Sequence, residues 1–511
     1  MKTKYIYIRV FWALAILLLF SSCDFLDESD PNSVSTKDYL KTETDVLKSI
    51  NGIYLAIRSN DCLGESSTLY TEERSDNTGR NDSQSSSGEP FQFSDFSLLP
   101  GNSYLKKHWV ALYKGISRAN FVLEYIDNAQ FDNADNKKIY VAEAKYLRAL
   151  LHFHLVRKWG DVILGTTYLE SYSEISGNTF REKKETVYAQ IVQDLKDALD
   201  SNLPNIQSES GKGRTCKAAI NGLLGQVYLT MYTTLPENKS ENLTNAKKYL
   251  TDCYAMRQFG QLSEIPYADV FDVKKKSINP EIIFQIVYKQ GDKDYSSSVA
   301  ANNQAQGETI NSQKVTKGGG TFVKPDLVYE YEETDLRKAF SVKYGDNANA
   351  KSWFITKFRD TSDAAGTLGY GGNDWILMRY ADIILMLAET EMYLGNDTEA
   401  IKYLDQVRLR AGMPGYVEMQ NNADYKAKYP TLKLAILHER RVELAFENQR
   451  WYDLLRFFSR TELVAYFNTK KQDNYGISSL ANFGTKDYYY PIPFDEWKLD
   501  PEKMWQNEGY E

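Results

Sequence analysis

Residues 436–458, ILHERRVELAFENQRWYDLLRFF, constrain the fold more than any other stretch of the chain. Among the apolar residues Leu437, Leu444 and Phe446 stand Glu439, Arg440, Arg441, Glu443, Glu447, Arg450, Asp453 and Arg456. Arg440 and Glu443, Glu447 and Arg450, and Asp453 and Arg456 are each spaced i,i+3, which brings side chains together on a helix. Two arrangements fit the pattern. One is a solvated helix face laced with salt bridges. The other is a buried ionic network, favoured by the bulky apolar residues between the charges and by Trp451 and Tyr452 directly after Arg450. A buried network of this kind fixes register more than it adds stability.

Composition sets the class around this segment. With 42% hydrophobic and 25% charged residues, the 511-residue chain has the balance of a soluble globular protein. A formal charge of -8 argues against a nucleic-acid binder, which carries a basic patch. Cys23, Cys62, Cys216 and Cys253 show no C-x-x-C spacing, so neither a zinc site nor a disulfide scaffold is indicated. His152 and His154 are two residues apart and face different ways on a helix. Asp132, Asn133, Asp135 and Asn136 lack the glycine and terminal Glu of a calcium loop. Zinc-helix, phosphate-loop and nucleophile-elbow motifs are absent from the sequence, so no cofactor or metal is expected and nothing argues for catalysis.

At the N-terminus, Lys2, Lys4 and Arg9 precede an apolar run at 10–20, followed by Ser21, Ser22 and Cys23. A charged region, a short apolar region and small residues make a secretory signal, predicted over 1–22. The run is shorter than the roughly 20 residues needed to span a bilayer. Cys23 after two small residues resembles a bacterial lipobox, whose cysteine is lipidated. Each buried CH₂ of an acyl chain adds about 0.8 kcal/mol to membrane binding, so several chains hold firmly. Residues 23–35 then read as an acidic lipidated tether.

The mature chain reads as mostly helical. Thr36 is expected to cap a helix through Tyr39, Leu47, Ile50, Tyr54 and Ile57. The polar stretch 72–89 reads as a loop. Helical periodicity resumes from Ser103, and again in KKIYVAEAKYLRALLHFHLVRKWGDV, where Ala142, Ala144 and Ala149 permit close helix approach and Gly160-Asp161 ends the helix. Further helices are predicted over 186–199, 218–232, 243–256, 375–394 and 398–411. Paired helices of this kind suggest a tetratricopeptide-like solenoid. Within 278–374, EIIFQIVY reads as a buried strand among Gly-, Ser- and Asn-rich loops.

ERRVELAFENQRWYDLLR resembles the C-terminal signature of the SusD/RagB family, the outer-membrane nutrient-binding lipoproteins of Bacteroidetes-type bacteria. HWVALYKGISRAN, AEAKYLRALLHFHLVRKWGDV, the mature start DFLDESDPNS and the late YYYPIPFDEW are similar to blocks of the same family. The resemblance implies a mainly α fold: degenerate tetratricopeptide-like helical repeats supporting an irregular, loop-rich ligand-binding region with a few short strands. It implies a single domain over 36–511, with repeats at about 36–257 and 375–458 and a loop-rich insertion at about 258–374. It also implies non-enzymatic glycan binding at the cell surface, a lipid anchor at Cys23, and delivery of oligosaccharide to a SusC-like TonB-dependent outer-membrane transporter. Peptide uptake on the same fold, and surface glycoside hydrolysis, are the alternatives.

A sugar presents apolar C–H faces and hydroxyl edges, so its site wants flat rings beside amide, carboxylate and guanidinium groups. Two regions supply both. The first comprises Arg74, Asp76, Asn77 and Arg80, followed by Asn102 and Tyr104. The second is the late loop set with Tyr295, Trp353, Tyr370 and Trp375. Trp109, Trp159 and Trp451 are expected in the core.

Overall fold

The structure, a computed structural model, describes residues 39–80, 88–303, 309–310, 313–314, 321–345, 351–470 and 483–511. The predicted signal, Cys23, the tether and Thr36 lie outside the described residues. The principal helices are α1 (Glu43–Ile57), α2 (Ser103–Tyr125), α3 (Ala134–Trp159), α4 (Lys184–Leu199), α5 (Lys217–Thr234), α6 (Lys239–Ala255), α7 (Tyr380–Tyr393), α8 (Asp397–Arg410), α9 (Leu432–Glu443), α10 (Arg450–Phe457) and α11 (Arg460–Asn468).

Local chemistry sets the ends of these helices. α1 starts at Thr42, whose hydroxyl accepts from Asp45 N while Asp45 Oδ2 accepts from Thr42 N, a reciprocal cap in place of the expected Thr36. α3 is capped by Asn133 and stops at Gly160, whose φ of 74° suits glycine. Chain neighbours α2 and α3, α5 and α6, and α7 and α8 pack against one another, and α3 also packs on α4. Small residues allow the approach: a Cβ at Gly225 would lie 2.5 Å from Leu250 Cγ, and one at Gly115 would lie 2.6 Å from Leu151 Cδ1. Trp109, Trp159 and Trp451 are buried, as expected. The late YYYPIP segment clamps α3, with Tyr490 N donating to Lys158 O at 2.8 Å and Trp159 Nε1 to Pro491 O at 3.0 Å.

The strands are few and short. β1 (Thr78–Arg80), β3 (Thr321–Val323), β5 (Ser352–Ile355) and β4 (Val342–Gly345) form an antiparallel sheet in that order. β2 (Ile282–Ile286) is the buried strand predicted from EIIFQIVY, and it pairs antiparallel with β6 (Trp375–Arg379). The helix predicted over 375–394 is thus a strand up to Arg379 and a helix from Tyr380. Pairing with β2 claims the first residues, and the apolar run that follows supports either period.

The segment 436–458 is two helices with a turn between them. α9 ends at Glu443, and Phe446 and Asn448 take φ of 69° and 61°, a backbone region costly for residues other than glycine. Phe446 N donates to Glu72 Oε1 at 2.9 Å, and Asn448 Nδ2 donates to Ser67 Oγ at 3.1 Å, which holds the turn.

The charges of this segment are buried, and their partners come from the whole chain. Glu443, with 0% exposure, accepts from Arg379 Nη1 at 2.6 Å, from Arg337 Nη1 at 2.9 Å and from Arg410. Arg379 and Arg410 also share Glu281, and Arg379 and Lys357 share Glu447. Burial opposes ionisation of Glu443, but Arg410, Arg379 and Arg337 outweigh it and hold the carboxyl well below the usual range. Arg440 pairs with Asp382 and Asp453, both at 2.8 Å, rather than with Glu443. Arg450 grips Asp76 at 2.7 Å rather than Glu447. Of the three predicted i,i+3 pairs, Asp453 with Arg456 forms, at 2.9 Å.

Glu443→Gln leaves three guanidiniums short of a counter-charge. It is expected to cost about 3–5 kcal/mol in urea unfolding, whereas Lys402→Ala in the exposed Lys402–Glu399 pair costs under about 1 kcal/mol. A second expectation concerns pH. His438 Nδ1 faces Glu330 Oε1 at 2.8 Å and Nε2 faces Glu332 Oε1 at 3.3 Å. Burial lowers the pKa of His438, but the two carboxylates overcome this and raise it above 6.5. A raised imidazolium contributes stability that is fully present below the unfolded value of about 6.5 and is lost as pH rises through the folded value. The melting temperature should therefore fall as pH rises above about 6.5, and His438→Gln should flatten that decline in a series of thermal melts.

Candidate ligand-binding groove

An open concavity of about 480 Å³ lies where α1, β2 and two loops meet. That volume is within the range of small-molecule sites. One wall is a stripe of α1: Lys48, Asn51, Leu55 and Arg58 recur at helical spacing on the face opposite the buried Val46, Ile50, Ile53 and Ile57. Leu55 is 50% exposed, an apolar side chain open to the groove. The second wall is Lys212-Gly213-Arg214, ahead of α5. Gly213 has φ of 90°, and a Cβ there would stand 2.4 Å from Val287 Cγ2, so this close passage over β2 requires glycine.

The floor is an ordered polar set. Tyr54 donates to Glu143 Oε2 at 2.6 Å and accepts from Thr215 N at 3.0 Å. Arg214 Nη2 donates to Glu143 Oε1 at 2.8 Å, and Nη1 donates to Asn51 Oδ1 at 3.1 Å. Burial, then the Glu143 charge, pushes the Tyr54 hydroxyl well above its ordinary value, so it remains a proton donor.

The rim is Tyr295, 48% exposed, with the Arg58 guanidinium 4.6 Å from its ring centroid. Arg58 Nη2 also donates to Asp294 O at 2.6 Å, so ring and cation are held as a unit. The Tyr295 loop is anchored below by Glu65, which accepts from Ser298 N at 2.6 Å and from Ser297 Oγ. It is tied sideways as well: Ser297 N donates to Gly371 O at 2.8 Å and Gly291 N to Tyr370 O at 3.0 Å. An exposed ring, an amide and guanidinium donors around one volume can hold a polar, ring-shaped ligand.

Two family models match the chain: that of the SusD family over residues 342–510, and one described as starch-binding associating with outer membrane over residues 24–229. The chain belongs to the SusD/RagB family. SusD-like protein P2 of Formosa agariphila is 27% identical, with 97% of this chain and 98% of that protein aligned. A solved laminarin binding SusD-like protein is 24% identical with a TM-score of 0.72, covering 92% of this chain and all 100% of the other. Surface glycan-binding protein A from Bacteroides uniformis is 19% identical with a TM-score of 0.75, covering 91% and 99%. These structures share the SusD fold, mainly helical with few short strands.

In this SusD chain, Tyr295 alone of the predicted contact residues lines the groove. Tyr370 is half-buried in the adjoining loop, and Trp353 is half-buried on β5 against Tyr344. Asn102 caps α2 and donates to Glu89 O and Gln92 Oε1, while Tyr104 packs beside it on the core with Lys107 over its ring. Arg74, Asp76, Asn77 and Trp375 are buried and do not line the groove. Arg74 sits among the rings of Tyr490, Trp451 and Phe96; Asp76 and Asn77 are taken up by Arg450 and Arg441; Trp375 pairs across to β2. Arg80 lies on β1. The predicted polar loop is in fact an inward turn from Glu72 to Asn77, because the signature arginines need its acids and amide. Lys48, Asn51, Tyr54, Leu55, Lys212 and Arg214 were not expected in a site. The exposed Leu55 on an otherwise polar stripe and the Lys-Gly-Arg step were the available signals.

Tyr54→Phe removes a donor from Glu143 and the acceptor of Thr215 N. It should lower stability by about 1–2 kcal/mol in thermal unfolding while leaving the far-UV spectrum unchanged.

Proposed function

We propose that this protein is a non-enzymatic, cell-surface glycan-binding lipoprotein that captures oligosaccharide and hands it to a SusC-like TonB-dependent outer-membrane transporter. The observation that carries the reading is the groove, where the half-exposed Tyr295 ring is fixed by Arg58 beside the Asn51 and Arg214 donors. Such a surface takes the apolar face of a pyranose on the ring and its hydroxyl edge on the donors. Proteins of the same fold named for laminarin binding and surface glycan binding support it, as does a family description that couples starch binding to the outer membrane.

Anchoring follows from the lipobox resemblance at Cys23. Among the described residues no helix is long and apolar enough to cross a membrane. In this reading acyl chains on Cys23 hold the protein at the outer leaflet, and the helical hairpins give a rigid body that can sit over a transporter mouth. The groove groups bind and orient the sugar, and none is assigned a bond-breaking role.

Calorimetry of the purified mature domain against a panel of oligosaccharides tests the reading. A binding sugar should lose about tenfold in affinity with Tyr295→Ala, and prolonged incubation should release no reducing ends. Binding untouched by that change, or sugar turnover, would refute it.

A further inference from the structure

The groove's charge does not match the protein's. The chain as a whole is acidic, with a formal charge of -8, yet the groove is lined by Lys48, Arg58, Lys212 and Arg214 and by no Asp or Glu. Glu143, beneath the floor, balances Arg214 through a 2.8 Å ion pair. Neither Arg58 nor Lys212 has such a balance among the described residues. Among the described residues Arg58 meets the Asp294 carbonyl and two tyrosine rings. Lys212 donates to the carbonyls of Asn279 and Ile282, at 3.3 and 3.2 Å. Of the described acids on the same elements, Asp45 serves the α1 cap and Asp292 pairs with Lys289 at 3.1 Å, which leaves the exposed Asp294, whose carbonyl Arg58 grips, as the one carboxylate beside Tyr295 for the cations to outweigh.

Cations gathered in a concave, partly desolvated volume focus a positive potential that surface acids do not cancel. A neutral sugar gains little from it. A carboxylate or sulfate gains charge-assisted hydrogen bonds, for which the planar guanidinium fork of Arg58 is the suited donor. The Arg58 guanidinium covers one face of the Tyr295 ring, so a sugar seated on the other face would bring an acidic substituent past the ring edge to Arg58. We infer that the groove selects anionic saccharides, chains whose units carry carboxylate or sulfate groups, with Arg58 and Lys212 as the specificity-determining cations and Lys48 steering from the rim. This rests on the groove being the glycan site proposed above.

The test is calorimetry of the mature domain with three oligosaccharides of equal length, a galacturonate, a sulfated galactan and a neutral glucan, at low and at high salt. At least one anionic sugar should bind about tenfold or more tightly than the glucan, and high salt should erode that preference as the charges are screened. Arg58→Gln should reduce anionic binding about tenfold. Lys48→Gln, at an exposed position that the fold does not need, should reduce it several-fold and flatten the salt dependence. The preferred anion tells carboxylate from sulfate. If the glucan binds as tightly as both anions, with Tyr295→Ala still abolishing binding, charge selection is overturned while the groove stands. If Tyr295→Ala changes no sugar's affinity, or no sugar binds, the groove reading itself fails and takes the inference with it.

Discussion

A buried carboxylate surrounded by guanidiniums organises this molecule. Glu443 at the end of α9 meets Arg337, Arg379 and Arg410, and through them Glu281, Glu439, Glu447 and Lys357. These residues come from α9 itself and the turn after it, the start of β2, the end of β6, the end of α8, the short helix Leu336–Ser341 and the segment after β5. Taking so many charges out of water is costly, and only good geometry with every ion shared among several partners offsets it. The arrangement therefore acts as a register device: a misaligned strand or helix would strand a charge in an apolar interior. The same logic draws in the turn from Glu72 to Asn77, where Asp76 serves Arg441 and Arg450 while Glu72 and Asn77 hold each other.

The groove depends on that frame at one remove. β2 is held by its pairing with β6 and by Glu281 at its base, and β2 supplies Gln285 and Ile286 to the groove. α1 is pinned from behind by its apolar face and in front by the Tyr54, Glu143 and Arg214 set. The Tyr295 loop hangs between Glu65 and the Gly371 bridge. The groove thus combines rigid walls with a rim made of loop, the combination expected where a scaffold is shared and ligands differ. Its cationic lining in an acidic protein is a local property that net charge conceals.

Much of the architecture was legible along the chain. α2, α3, α4, α5, α6 and α8 were marked by apolar periodicity, small residues and a stop at Gly160, because these signals act within a few residues. β2 was legible from its unbroken apolar run. Two readings failed for one reason. Residues 375–379 and 444–449 carry helix-compatible patterns, but pairing with β2 and hydrogen bonds to Glu72 and Ser67 decide their backbone. The site was less legible still. Polar residues in 72–77 look like solvent-facing loop until their partners, hundreds of residues later, are known. Tyr54 looks like ordinary core until Glu143 and Arg214 are seen to hold its hydroxyl at the base of a cavity.

The sequence by itself determined the helical class, the positions of most hairpins, the signature of buried charge and the kinship that goes with it. Each of these is written in local spacing or in contiguous blocks. The tertiary structure decided which acid each arginine takes, where the signature breaks into two helices, and that Lys48, Arg58, Lys212, Arg214 and Tyr295 share one volume. Ion pairing and concavity depend on distance in space, and for residues separated by hundreds of positions only the folded chain sets that distance.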